Sequence, residues 1–437
     1  MSGRRKAPGP FFDVLVSFAR NPLRLVTRLR DRHGPLARVR MGPFTVHQVS
    51  GPEQIRHVLQ TNARNYVRGR FYRGFHLFFG RGMLTTDGAE WKARRAASQP
   101  LFHKPRLRAE SPTITAMVGE VLDGWDGRMR RGEPVEVTEE MMRLAMGVLG
   151  TLLYGVDLRR HADDLLPAVR FAMEAGNNAN PLRPLAPGWK RRLARHQAVL
   201  NRVMDEVIDR HEAGAGAPDG LVAALASATG PDGKPFGRRE IRSELKTVFL
   251  AGHETTGCAL AWTLHALANH EPVREKVAAE LAEVLDGRVP TAEDVADLPY
   301  LRQVVDESLR LYPPIWLFPR DAVADDVIGG CPVPAGSTVL VPPYAAHRDP
   351  AVWDRPEEFD PERFGPGRKA PDRHAYLPFG GGARKCVGMD LALLELHLVV
   401  AMVAQRFRLT PVSAGPVVPD ALVSLRPPRL EMRLSPA

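Results

Sequence analysis

The stretch FGGGARKCVG, residues 379–388, holds one of only three cysteines in 437 residues. Gly380, Gly381 and Gly382 allow positive φ and a close approach of backbone to a ligand. Cys386 then precedes an apolar helix predicted to start near Val387, where unpaired N–H groups and the helix dipole favour a thiolate. Arg384 and Lys385 push the same way. A lone cysteine before a helix is more often a small buried hydrophobe than a ligand, but the surrounding spacing decides against that here. The pattern F-x-x-G-x-R-x-C-x-G is met by Phe379, Gly382, Arg384, Cys386 and Gly388, and this chain's composition yields it by chance on the order of 1 time in 10,000.

The rest of the chain is compatible with a large buried core. It is 44% hydrophobic and 25% charged, ordinary for a globular protein. Cys258, Cys331 and Cys386 are too few and too dispersed for a disulfide framework, and no CxxC pair starts a zinc site. A reducing, cytoplasmic setting is expected. The lead-in, residues 1–34, begins with cations and a short apolar run that Asp13 interrupts and Arg20 and Pro22 end. No small-residue cleavage site follows, and the run falls short of the roughly 20 apolar residues a membrane span needs. It reads as a basic amphipathic segment without a transmembrane anchor, reversible membrane contact being the alternative. The net charge of +10 raises the question of nucleic acid. Its cations are scattered, however, and WKRRLAR at 189–195 reads as one solvated helix face, so no nucleic acid is expected and an acidic protein partner suits the surplus.

Helical periodicity dominates, with helices predicted over 52–60, 87–99, 113–131, 138–154, 162–175, 189–212, 238–269, 271–286, 301–311 and 387–407. LARVRMGPFTVHQVS (36–50) reads as a hairpin, and 315–345 is too rich in Gly and Pro for helix. At 1.5 Å per residue the 238–269 segment would be about 48 Å long, the spine of the fold. The loops 176–188 and 213–220 bracket a helix, which is either a lid or a variable surface excursion. Without repeats or a linker, the expectation is one large α+β domain over 1–437, mainly α with smaller sheets.

Further motifs carry chemistry. In AGHETT (251–256), Val248, Ala251, Thr255 and Ala259 share one helix face, flat and small enough for a planar ligand, although close helix packing uses the same residues. Gly252 weakens the helix, and the Thr255 hydroxyl can compete for a backbone carbonyl. Glu254 beside it is hard to explain as packing. Glu307 and Arg310 lie one turn apart among apolar Val304 and Leu311, which implies a buried ion pair in need of further partners. Arg363 in FDPERF is a candidate. Trp91 and Arg95 share a helix face, and Arg320 follows LYPPIWLFP.

The cysteine loop resembles the haem-ligand loop of the cytochrome P450 family, and the other motifs, across about 85–410, resemble that family's in kind and order. The resemblance implies a single domain with haem between the long central helix and the helix after the cysteine loop. It implies Cys386 as the axial iron ligand, with Phe379 shielding the sulfur side and Gly388 closing the loop. Trp91, Arg95, Arg320 and Arg384 would hold the haem propionates. Ala251 would lie at the oxygen groove, Glu254 and Thr255 would deliver protons, and Glu307, Arg310 and Arg363 would form a structural triad. Phe78, Val248, Leu317 and Phe318 fall in substrate-contacting regions, as does the 176–188 loop, and core packing explains these aromatics about as well.

The implied activity is a monooxygenase that inserts one atom of O2 into a C–H bond by hydroxylation or epoxidation. Its cofactor would be haem b, and its substrate a hydrophobic small molecule such as a terpenoid, fatty acid or polyketide. The chain runs only about 50 residues past Cys386, so electrons from NAD(P)H are expected through a separate ferredoxin and ferredoxin reductase, docking a monomer near Arg94, Arg368, Lys369 and Arg373. Two alternatives stand beside it: a peroxide-driven or isomerising haem-thiolate enzyme, and a hydrolase with Cys386 as nucleophile, for which no local histidine signature exists.

Overall fold

A computed structural model describes residues 6–10, 14–42, 44–176, 186–368 and 371–437. The spine helix runs Arg238–Asn269, as its periodicity predicts. It starts where the Glu240 carboxylate turns back to accept the Gly237 N–H at 2.9 Å, supplying a partner at the positive helix end. Most of its residues are buried because helices pack around it. The closest neighbour is Val137–Leu149, and Gly257 makes that approach possible. A Cβ at 257 would sit 2.7 Å from Met142 Sδ and 3.0 Å from its Cα. The helix after the cysteine loop, Met389–Arg406, packs across the spine.

The predicted hairpin forms from Leu36–Met41 and Phe44–Val49. The Gly/Pro-rich region supplies Phe318–Ala322 and Thr338–Val341, and with Tyr66–Val67 these make a five-stranded sheet. Among the described residues only the pairing of Phe44–Val49 with Thr338–Val341 is parallel. A second sheet joins Val135–Glu136, Glu431–Pro436 and Phe407–Pro411.

Some elements depart from the periodicity. The helices expected at 52–60 and 138–154 both end in a π-turn, the second stopped by Gly155 at φ 67°. The lead-in contains the helix Pro22–His33, with proline in its first turn and Asn21 Oδ1 accepting the Arg24 N–H at 2.9 Å. Residues 177–185 of the 176–188 loop lie outside the described residues. Among the described residues no helix is long and apolar enough to cross a membrane.

The segment leading to the cysteine is held by buried charge. Glu307 and Arg310 have fully buried side chains and meet in a two-pronged contact of 2.7 and 2.8 Å. Arg363 Nε donates to Glu307 at 3.0 Å, as does the Asp360 N–H at 2.8 Å. Arg310 spends its remaining donors on the carbonyls of His347, Pro356 and Glu358. Each charge therefore has partners, the condition for a buried pair to be tolerated.

His347 extends this network to the cysteine loop. Its Nδ1 faces the Arg310 carbonyl at 3.1 Å and its Nε2 faces the Leu377 N–H at 3.0 Å. These partners fix the tautomer with the proton on Nδ1. Burial, with the Arg310 and Arg348 charges behind it, lowers its pKa to about 3, so the ring stays neutral.

Candidate active site

The cysteine loop folds back on itself. The Cys386 N–H donates to the Phe379 carbonyl at 2.9 Å and the Lys385 N–H to that of Gly382 at 3.1 Å. Gly382 has φ 67°, and a Cβ there would lie 1.9 Å from the Leu59 carbonyl oxygen, so no other residue fits. From the other side Arg95 Nη1 donates to the Lys385 carbonyl at 2.9 Å. The loop thus presents Cys386 to an internal cavity of about 410 Å³.

The thiol is not an anion by virtue of the polypeptide alone. Burial pushes its pKa up, against the Gly388 N–H and the charges of Arg95 and Lys385. The helix begins at Met389 rather than near Val387. Cys386 therefore lies ahead of the first turn, where the dipole is weaker than the sequence suggested. A metal cation facing the thiol from the cavity would ionise it.

The opposite wall is the spine helix. Val248, Ala251, Gly252, Thr255 and Ala259 all line the cavity, so the small-residue face is turned to a ligand and not only to another helix. Thr255 Oγ1 donates to the Ala251 carbonyl at 2.6 Å, yet the helix continues unbroken. Glu254 reaches the cavity edge but is buried, its carboxylate turned off that face toward the segment near the C-terminus.

Cations converge at one corner. Arg384 lies over the Trp91 ring at 4.3 Å, donates to the Thr86 carbonyl at 2.8 Å and pairs with Asp87. Arg320 is buried beside it, and burial together with the charge of Arg68 lowers both Arg320 and Arg384 to about 10. Asp321 does not draw Arg320 away, because its carboxylate is taken by Arg70 and Thr338. Burial alone would raise the Tyr72 phenol, but Arg68 and Arg320 outweigh it and hold the pKa below its ordinary value.

Three guanidiniums, Arg68, Arg320 and Arg384, gather here with one carboxylate, Asp87, which pairs with Arg384, leaving an excess of two positive charges. Arg68 Nε and Arg384 Nη1 are buried without a partner among the described residues. Buried donors left open in this way call for a ligand. A planar dicarboxylate with a metal at its centre matches the donor set: sulfur beneath, a flat helix face above, and two charges' worth of guanidinium at one edge. These residues fit haem.

Other predicted residues sort by position. Trp91, Arg95, Arg320, Phe379, Arg384 and Gly388 line the cavity, as do Leu317 and Phe318. Phe78 does not. It packs edge-on against Phe171 at 5.6 Å, while Phe71 and Phe75 line the cavity. Arg94, expected at a docking surface, is buried among Glu90, Glu240 and Glu244. Arg368 and Arg373 are exposed, and Lys369 lies outside the described residues. Arg68 and Asp87 carry no signal in the sequence that would place them here.

Comparison with known proteins agrees with this geometry. The family model for cytochrome P450 matches residues 4–433. The chain is 35% identical over 420 residues to cyclooctat-9-en-7-ol 5-monooxygenase of Streptomyces melanosporofaciens, covering 93% of this chain and 89% of that one. It is 34% identical to cyclooctatin synthase of the same organism, with 98% and 94% covered. To pentalenene oxygenase of Streptomyces avermitilis it is 30% identical, with 98% and 96% covered. Among solved structures, the haem domain of cytochrome P450DA superposes with a TM-score of 0.88 at 25% identity, covering 99% and 98%. With that family's model matched over nearly its whole length, and a cavity that offers sulfur, a flat helix face and an anion-seeking corner, the chain belongs to the cytochrome P450 family.

Proposed function

We propose that this P450 hydroxylates a terpenoid hydrocarbon or its mono-alcohol, within one domain spanning 1–437, with electrons from a separate ferredoxin and its reductase. The family membership makes the protein a haem-dependent monooxygenase that uses O2 and electrons from reduced nicotinamide through a redox partner. The observation carrying the finer reading is the cavity lining. Phe71, Phe75, Met173, Leu149, Ile315 and Leu317 surround the space above the cysteine, and hydroxyls are few. Such a wall favours a rigid apolar body and has little to offer a polar one. Several relatives by sequence act on terpenoids.

When bound, haem supplies the chemistry of oxygen activation; the chain supplies placement, protons and dryness. In this reading Cys386 would hold the haem iron through its sulfur, with Phe379 and Gly388 shaping that side of the cavity. Arg95, Arg320 and Arg384, with Trp91, would hold the propionates, joined by Arg68 and Tyr72. Ala251 leaves room for dioxygen, and Glu254 and Thr255 pass protons inward. Val248, Leu317 and Phe318 bound the substrate, and Glu307, Arg310 and Arg363 keep the ligand loop in register.

The test is a titration of the haem-loaded protein with cyclic sesquiterpenes and diterpenes, their mono-alcohols, fatty acids and macrolactones. The terpenoids are expected to give the absorption shift that accompanies expulsion of water from the cavity. A response confined to fatty acids or macrolactones rejects the substrate class.

The redox partner has its own check. Arg373 is exposed and bonds Gln60 at 3.2 Å, beside the Leu59 carbonyl that backs Gly382. A cation there sits behind the cysteine loop, where an acidic ferredoxin would approach. Ferredoxin-driven reduction should slow as salt rises from about 50 to 500 mM, because surface charges are then screened. A salt-independent rate excludes electrostatic docking.

A further inference from the structure

The paired turn Asp420–Ala421 and Leu425–Arg426 is pinned over the spine helix by three contacts. Trp262 Nε1 donates to the Leu425 carbonyl and Trp316 Nε1 to that of Leu422, each at 2.9 Å, and the Leu425 N–H donates to the Pro314 carbonyl at 2.8 Å. Its tip, Leu422 to Ser424, forms part of the cavity wall. Ser424 is almost wholly buried, and its Oγ donates to Glu254 Oε1 at 2.9 Å. Arg426 Nη1 lies 3.7 Å from the same oxygen. The other oxygen, Oε2, is buried and has no partner among the described residues.

We propose that Ser424 and Arg426 are positioning residues for proton delivery: by occupying Oε1 of Glu254 they leave Oε2 as the one oxygen that carries the proton. The inference rests on the proton-passing role of Glu254 and Thr255 proposed above. A donor already directed at Oε1 places the acidic hydrogen on the opposite oxygen, since a carboxylic acid offers one O–H and one accepting C=O. On transfer the carboxyl turns toward Thr255, the Oε2–H bond breaks with its electron pair left on the carboxylate, and the Thr255 hydroxyl oxygen takes that proton while giving its own into the cavity. A proton from solvent replaces it. Arg426 is 20% exposed and so reaches from bulk water to the buried acid.

Arg426 is also the one fixed charge facing Glu254 among the described residues. His253, on the same helix, stacks on Phe249, and burial pushes its pKa below the ordinary value. The Cys258 thiol, which also meets Ser424, is pushed well up by burial and stays protonated. Neither places a second charge beside the Glu254 carboxyl group.

The direct test needs no substrate. In the haem-loaded protein, infrared spectra collected across pH should contain a carboxylic acid C=O band that Glu254→Gln removes. Because Ser424 donates to the C=O oxygen, Ser424→Ala should shift that band to higher frequency, and Ser424→Thr should restore it. Ser424→Cys keeps the volume with a weaker donor and serves if the alanine variant fails to fold.

In parallel, peroxide released per NADH oxidised is measured with a ferredoxin and its reductase. It should rise severalfold in Ser424→Ala and return toward the parent value in Ser424→Thr. An unmoved band, or a peroxide yield that threonine does not rescue, overturns the proposal. If Glu254→Gln and Thr255→Ala leave peroxide unchanged, the proton-passing role itself fails. If those two raise it and Ser424→Ala does not, only the assignment of Ser424 and Arg426 falls.

Discussion

Glu307→Gln is expected to cost about 3–5 kcal/mol of unfolding free energy, enough to leave most of the expressed protein without haem. Glu307 accepts from Arg310 Nε and Nη2, from Arg363 Nε and from the Asp360 N–H, all in a region closed to water. The amide keeps the shape but removes the negative charge and turns one acceptor into a donor. Arg310 is then a buried cation with only carbonyl dipoles for company. Its contacts to His347, Pro356 and Glu358, and through His347 to Leu377, tie the spine side of the fold to the cysteine loop. Urea unfolding followed by far-UV circular dichroism, with haem content per chain, measures the effect. A loss below about 1 kcal/mol would make the triad an ordinary ion pair.

Cys386→Ser carries the second large effect. Oxygen insertion should fall to background while the fold survives, because the side chain faces a cavity and serine is smaller. Haem should be retained in part, since the cationic corner with its open Arg68 and Arg384 donors still draws a dicarboxylate. What disappears is the sulfur donor that favours O–O cleavage. Product analysis with haem content measured separately tells loss of ligation from loss of cofactor. Retained oxygenation in a haem-loaded serine variant would contradict the assignment.

Much of this was legible in the sequence, for reasons specific to each element. The spine helix announces both ends, with Glu240 in its first turn and a proline just after Asn269. The cysteine loop is local, so its glycines, cations and sulfur stand within ten residues and the spacing alone points to chemistry. The cationic corner is the opposite case. Arg68 and Tyr72, Asp87, Arg320 and Arg384 come from four stretches of the chain, and nothing local marks Arg68, Tyr72 or Asp87 as part of one site. Only folding reveals that three guanidiniums gather around a single carboxylate, paired with Arg384.

The small second sheet was missed because Val135–Glu136 pairs with Glu431–Pro436, nearly three hundred residues away, leaving no local alternation to detect. Arg94 shows the converse error. A basic helix residue was assigned to the surface, and three glutamates from two helices had in fact taken it inside. The acid pair splits in the same way: Thr255 faces the cavity while Glu254, one residue earlier and about 100° around the helix, turns to Ser424.

The central claim is that the Cys386 sulfur bonds the haem iron as a thiolate. The most direct test is the absorption spectrum of the haem-loaded protein, reduced with dithionite and treated with carbon monoxide, beside Cys386→Ser. The account predicts the red-shifted Soret band of a thiolate-ligated carbonyl complex in the parent protein and its absence from the serine variant. An unshifted band in freshly purified, fully loaded parent protein, or a shifted band that survives the substitution, would contradict it.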